Sequence, residues 1–179
     1  IARIVRVNHA GEFGAIRIYS AQLLVARRLF PECASALSEM LRHEQTHCAL
    51  FRAAMPARQS RPCRIMQLWS CGGWLLGFFT ACLGRNGIWA CTAAVEAAVH
   101  RHLDDQLHFL AGRDTELRGI IESIRVEEIG HLRYAERQLH DDNALLRILR
   151  RSISGMTDTL IWLSTWGDST RMARAMAAA

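Results

Sequence analysis

Glu44-Gln45-Thr46-His47 and Glu128-Ile129-Gly130-His131 are the stretches whose reading decides the fold. Residues three apart in a helix lie about 60° from one another around its axis, so each stretch presents a carboxylate and an imidazole on one face. A single pair of this kind is commonplace. Here each pair has a lone glutamate 32 residues upstream, Glu12 before Glu44 and Glu96 before Glu128, and the two sets are offset by 84 residues at every matching position. Four carboxylates and two histidines on four helices form the donor set of a di-iron or di-manganese centre inside a four-helix bundle. Duplication of a helical pair explains the equal offsets. The predicted architecture is therefore all-α and a single domain over residues 1–179, with an internal repeat of about 1–55 and 86–140.

The surroundings of the lone glutamates support burial. Glu12 sits among Asn8, His9, Ala10, Gly11, Phe13, Gly14 and Ala15, and Glu96 is the one charged side chain between Arg85 and Arg101. A buried carboxylate needs a partner, and a cation supplies one. Carboxylates with imidazole suit iron or manganese. The bundle architecture makes Glu44 and Glu128 the bridging ligands and Glu12 and Glu96 the terminal ones. Asn8, one turn before Glu12, is a candidate to orient a ligand, and Glu127, Asp104 and Asp105 are candidates to accept a ligand-histidine N–H. His100 shares the face of Glu96, and His102 is a candidate relay near the site. His9, His43, His108 and His140 read as surface or satisfied core groups.

Outward from these motifs, apolar periodicity predicts a first helix over residues 2–29 and a second over 32–54, with Pro31 at its start. Gly11 and Gly14 each cost about 1 kcal/mol in a helix, which suggests close approach of a neighbouring backbone. Residues 56–62 form a polar linker. Residues 65–84 are 20 positions without a charge, long enough for a helix to cross a hydrocarbon core of about 30 Å. Gly72, Gly73, Gly77 and Gly84 weaken that helix, and the next apolar stretch carries Glu96, which is costly in lipid. A helical hairpin over residues 65–99, broken at residues 84–87 and lying in a membrane interface, fits better. A turn at residues 112–114 with Asp114 as cap precedes a helix to about residue 140. Asp142 is the expected cap of a last helix ending near Trp166.

Half of the residues are hydrophobic and three are proline, which excludes a disordered chain. The formal charge of +5 suits attraction to anionic headgroups. No basic run interleaves with aromatics and no zinc-finger spacing occurs, so nucleic acid is not an expected partner. Six scattered cysteines without a Cys-x-x-Cys read as reduced thiols rather than an iron–sulfur or zinc site. No targeting segment is recognisable, and because the chain opens at Ile1 rather than methionine this excludes nothing.

The string Val7-Asn8-His9-Ala10-Gly11-Glu12-Phe13-Gly14-Ala15-Ile16-Arg17-Ile18-Tyr19 resembles a motif of the demethoxyubiquinone hydroxylases, the COQ7-type enzymes of ubiquinone biosynthesis. So do Ala94-Val95-Glu96, the Glu44/His47 pair, and Arg125-Val126-Glu127-Glu128-Ile129-Gly130-His131. The similarity extends over essentially the whole chain, and the departures at Asn8, Phe13 and Leu103 leave the six ligand positions intact. The resemblance implies a ferritin-like bundle with an added apolar hairpin and C-terminal helix. It implies a di-iron monooxygenase with two iron ions held by Glu12, Glu44, His47, Glu96, Glu128 and His131. That enzyme would use dioxygen to hydroxylate the ring of a demethoxyubiquinol or demethoxyubiquinone, with electrons from NADH or from the quinol itself. The ring is expected to enter beside residues 75–89 while its polyprenyl tail stays in the membrane. The expected setting is peripheral, on the cytoplasmic face of a bacterial membrane or the matrix face of the mitochondrial inner membrane, with self-association or a biosynthetic partner protein.

Two other readings share these residues. A ferroxidase, peroxidase or manganese catalase would use the same bundle without lipid access. A non-catalytic quinone- or lipid-binding module would need no complete ligand set.

Overall fold

The structure, a computed structural model, describes residues 1–139, 143–169 and 171. The described chain is helical: α1 (Ala2–Leu29), α2 (Pro31–Ala54), a 3-10 turn at Pro56–Arg58, α3 (Met66–Cys82), α4 (Arg85–Leu110), α5 (Thr115–Gln138) and α6 (Ala144–Thr165). Helices α1, α2, α4 and α5 make a ferritin-like four-helix bundle. The two remaining helices lie outside it, α3 chiefly against α1 and α6 chiefly against α4.

The bundle is layered along its length. At one end Tyr19, Leu23, Leu37, Met40, Ile88, Trp89 and Ala135 form an apolar cluster. At the other end Ile4, Val5, Phe51, Leu103, Leu110, Leu117, Ile121 and Ile124 form a second. On each of the four helices the predicted ligands fall between the residues of these two clusters. A polar layer is thus held between two apolar plugs, each of which excludes water from it. Truncating a fully buried member such as Leu37 or Ile121 would cost about 2–5 kcal/mol.

Local chemistry fixes the corners. Pro31 begins α2 within its first turn, where a missing N–H is harmless. Asp114 caps α5 by accepting from the Leu117 amide at 2.9 Å. It also accepts from Arg58 Nε and Nη2 at 2.7 and 2.8 Å, a two-pronged ion pair that ties the 3-10 turn to the α4–α5 corner. The cap of α6 is Asn143, whose Oδ1 accepts from the Leu146 amide at 2.9 Å; Asp141, Asp142 and His140 lie outside the described residues.

The interruption expected over residues 84–87 narrows to Leu83 and Gly84, the latter at φ +88°, and the chain is helical again from Arg85. Gly87 lies inside α4 because the Thr80 carbonyl occupies the space a Cβ would need. The close backbone approach expected at Gly11 is absent, since a Cβ there would meet nothing within 4 Å. The contact is made from the other side: a Cβ on Gly73 would lie 2.6 Å from the Gly14 carbonyl oxygen, and one on Gly77 would strike the Ile18 backbone. Glycines of α3 let the two backbones touch, and Gly14 of α1 makes room for the Trp69 side chain, which a Cβ there would approach to 3.1 Å.

Residues Gly87 to Ala94 are buried in the bundle, so the exposed apolar surface belongs to α3 and α6 rather than to the whole of residues 65–99. It includes Leu68, Leu75, Phe79 and Leu83 on or just after α3, and Met156, Trp162, Leu163 and Trp166 on or just after α6. Trp89, by contrast, is core. Among the described residues no helix is long and apolar enough to cross a membrane.

Candidate metal centre

Glu12 projects from α1, Glu44 and His47 from α2, Glu96 from α4, and Glu128 and His131 from α5, and all six are at most 5 % exposed. Their donor atoms form two overlapping quartets: Glu12, Glu44, His47 and Glu128, and Glu44, Glu96, Glu128 and His131. Within each quartet one atom from every residue lies within 4.8 Å of the others. Glu44 and Glu128 belong to both. His47 Nδ1 is 3.0 Å from Glu128 Oε1 and 3.7 Å from Glu12 Oε2. His131 Nδ1 is 3.4 Å from Glu44 Oε1 and 3.6 Å from Glu128 Oε2. The Nδ1 atom of each ring therefore faces the carboxylates.

Four carboxyl groups in so small a dry space cannot all carry charge. Burial, with the charge of Glu128 adding to it, pushes Glu12 up to about 8. Burial and the neighbouring Glu128 hold Glu44 and Glu96 well above the ordinary carboxylate range. Burial would raise Glu128 too, but its close contacts with Glu96, His131 and His47 outweigh it and hold that group below its usual value. Burial would lower His131, yet contact with Glu128 and Glu44 raises it to about 9. Without a cation the layer must therefore keep protons where the chemistry of its donors favours metal.

A test of fit comes from unmet valence. Glu44 Oε1, Glu128 Oε1, His47 Nδ1 and His131 Nδ1 are all buried without a hydrogen-bond partner, although they lie within ion-pair distance of one another. Orphaned polar atoms are rare in protein interiors. Four that converge on one space, all of ligand type, fit a pair of divalent cations.

Of the sequence candidates around the ligands, Glu127 reaches one: its Oε2 is 3.2 Å from His47 Nε2. Asn8 instead exchanges two hydrogen bonds with Gln106, at 2.7 and 3.0 Å. Asp104 accepts from Arg125 and lies 3.6 Å from His100, and His102 lies 3.1 Å from Asp158. None of these touches a ligand histidine. Two residues were passed over. Tyr19 donates to Glu96 Oε1 at 2.5 Å, and His43, read as a surface or core group, stacks on His131. The signal for His43 was its place immediately before Glu44, matching Glu127 before Glu128.

An apolar groove of about 260 Å³ runs between α3 and α6 over α1 and α4. Gly11, Gly14, Trp69, Gly72, Gly73, Leu76, Val95, Val99, Leu160 and Ile161 are among its walls. Gly11, Ala15, Val95, Val99 and Ile161 also line a deeper cavity of about 50 Å³ whose floor is Glu12, Glu44, Glu96 and Glu128. The groove and the carboxylate cavity thus lie side by side and share these residues as a common wall. The groove's α3 wall runs from Leu68 to Leu76, so the groove meets the expected residues 75–89 at Leu76, and its other walls come from α1, α4 and α6.

A family model described as ubiquinone biosynthesis protein COQ7 matches residues 1–164. The chain belongs to this family. Among curated relatives, the mitochondrial NADPH-dependent 3-demethoxyubiquinone 3-hydroxylase of Mus musculus is 38% identical over 135 residues, which cover 73% of this chain and 61% of that protein. The protein of the same name from Dictyostelium discoideum is 35% identical over 168 residues, 92% of this chain and 76% of its own length. The 3-demethoxyubiquinol 3-hydroxylase of Rhodospirillum rubrum is 39% identical over 131 residues, 73% of this chain and 61% of its own. The COQ7 match takes in all six clustered donors and the helices that carry them. The chain spans 61% of the length of the mouse and Rhodospirillum relatives.

Proposed function

We propose that this chain is a di-iron monooxygenase that uses dioxygen to hydroxylate the ring of a demethoxyubiquinol or demethoxyubiquinone in ubiquinone biosynthesis. One observation carries the reading: an apolar groove that shares five wall residues with a cavity lined by four buried carboxylates, which cluster with two histidines. A ferroxidase or peroxidase on the same bundle needs no such groove. The names of the mouse, slime-mould and bacterial relatives support the same substrate class.

Glu12 and Glu96 would be terminal ligands, Glu44 and Glu128 bridging ones, and His47 and His131 would bind through Nδ1. The whole is one di-iron domain built from two related helical pairs. Two iron ions held there supply the reduction of dioxygen that the ring chemistry requires. The protein's own contribution is placement and exclusion. Val95, Val99 and Ile161 bound the passage and keep water from the reacting face. The Asn8–Gln106 amide pair joins α1 to α4 in the wall beside Glu12 through two hydrogen bonds. Tyr19 fixes the rotamer of Glu96. In the overall balance one oxygen atom enters the ring C–H bond as a hydroxyl and the other leaves as water, with two electrons and two protons supplied by a reduced nicotinamide together with one solvent proton, or by the quinol.

A polyprenyl tail on the substrate would run out through the mouth of the groove. The groove opens between α3 and α6, where Leu68, Phe79, Trp162 and Leu163 are exposed. We place that face on a membrane surface, bacterial or mitochondrial. The test is incubation of iron-loaded protein with a demethoxyquinone in lipid vesicles, a reductant and ¹⁸O-labelled dioxygen. Label in a new ring hydroxyl is the expected result. Iron oxidation without ring labelling would favour the ferroxidase instead.

A further inference from the structure

The residue immediately before each bridging glutamate crosses to the histidine of the opposite helix. His43, before Glu44 on α2, lies flat on His131 of α5, with ring centroids 5.3 Å apart, planes 11° apart, and Nδ1 3.0 Å from His131 Nε2. Glu127, before Glu128 on α5, places Oε2 3.2 Å from His47 Nε2 of α2. The crossing is symmetrical in position and unequal in chemistry. The outer nitrogen of one ligand histidine faces a carboxylate directly, and that of the other faces an imidazole whose Nδ1 lies 3.5 Å from the same carboxylate.

That difference bears on the metal. A carboxylate accepting the outer N–H of a histidine fixes its tautomer and makes the inner nitrogen a stronger donor. An imidazole is a poorer acceptor and leaves the inner nitrogen weaker. A second asymmetry has the same sign. Glu96, private to the His131 quartet, gives electron density from Oε1 to the Tyr19 hydroxyl at 2.5 Å. Glu12, private to the His47 quartet, has no tyrosine on it.

Resting on the metal reading above, we propose that the two ions bind unequally. The quartet of Glu12, Glu44, His47 and Glu128 fills first and more tightly. The quartet of Glu44, Glu96, Glu128 and His131 fills second. Glu127 and His43 are positioning residues that set this order, and neither touches an ion. Their side chains are 47% and 25% exposed, so both can be replaced without opening the core.

The experiment is anaerobic titration of the full, metal-free chain with Co(II), followed by calorimetry and by the visible bands of bound cobalt. The wild type is expected to bind in two steps whose Kd values differ by about tenfold or more. Glu127→Ala should weaken the first step by about 10–100-fold and leave the second within a few-fold, so that the steps merge. His43→Glu should strengthen the second step and merge them from the other side. Uptake of two equivalent ions by the wild type, or a Glu127→Ala effect confined to the weaker step, overturns the proposal while leaving the metal centre standing. Absence of any cobalt binding overturns the metal reading as well.

Discussion

The Tyr19 hydroxyl, on α1, donates a 2.5 Å hydrogen bond to Oε1 of Glu96, on α4, and both side chains are at most 2 % exposed. The bond joins two helices across the polar layer and gives a buried carboxyl its one partner from an uncharged side chain. Tyr19→Phe keeps the ring and its edge contact with His131 and removes that partner. Metal-free Tyr19→Phe should unfold about 1–3 kcal/mol more easily than wild type in urea. The loss should shrink when metal is bound, because a cation then satisfies Glu96.

Stability of the metal-free protein should fall as pH rises from about 6 to about 9. Glu12, at about 8 when folded against an ordinary 4.5, stabilises fully below the ordinary value and loses that contribution as pH climbs through 8. Glu44 and Glu96 are raised and act in the same direction. His131, raised to about 9, stabilises below 6.5 and stops doing so above 9. Glu128 is depressed, so its opposite contribution is already complete at pH 6. Metal displaces these protons, so binding should tighten with pH. Melting temperatures at pH 6 and 8.5, with and without Co(II), check both slopes; the metal-free Tm should drop and the metal-induced gain should grow.

The helices and the clustering of the six candidate ligands were legible in the sequence because both depend on spacing along one chain. Glu12, Glu44, His47, Glu96, Glu128 and His131 announce themselves by period and offset. The partners of those ligands were not legible, because partnership depends on which helices become neighbours. Tyr19 is two turns from Glu12 on its own helix but serves Glu96 on another. His43 looks like a surface residue until α5 is laid beside α2. The glycine pattern of residues 72–77 marked a weak helix, and only the seating of α3 on Gly14 and Ile18 gives it a use.

Glycines of the α1–α3 seam should divide into two classes. Gly73→Ala and Gly77→Ala drive a methyl into the α1 backbone and should cost about 1–3 kcal/mol each. Gly72→Ala meets nothing within 4 Å and should gain up to about 1 kcal/mol from helix propensity. Urea unfolding of the three variants reads the difference.

Blocking the groove should separate substrate access from metal binding. Gly11 lines both the groove and the deeper cavity, and a Cβ there meets no neighbour. Gly11→Leu, checked for wild-type helicity and iron content, should lower kcat/KM for a demethoxyquinone about tenfold or more, the effect of about 1.4 kcal/mol lost in the transition state. Unchanged kcat/KM would place the quinone path elsewhere.

Removing the shared ligands should empty the centre. Iron per chain, measured after anaerobic reconstitution and desalting of the folded wild type and of Glu44→Ala/Glu128→Ala, tests this most directly. The expected result is about two irons per wild-type chain and fewer than one in the double variant, with helicity kept by both. A folded wild type that retains no iron, or a double variant that retains both ions, would contradict the assignment of these six side chains to a di-iron centre.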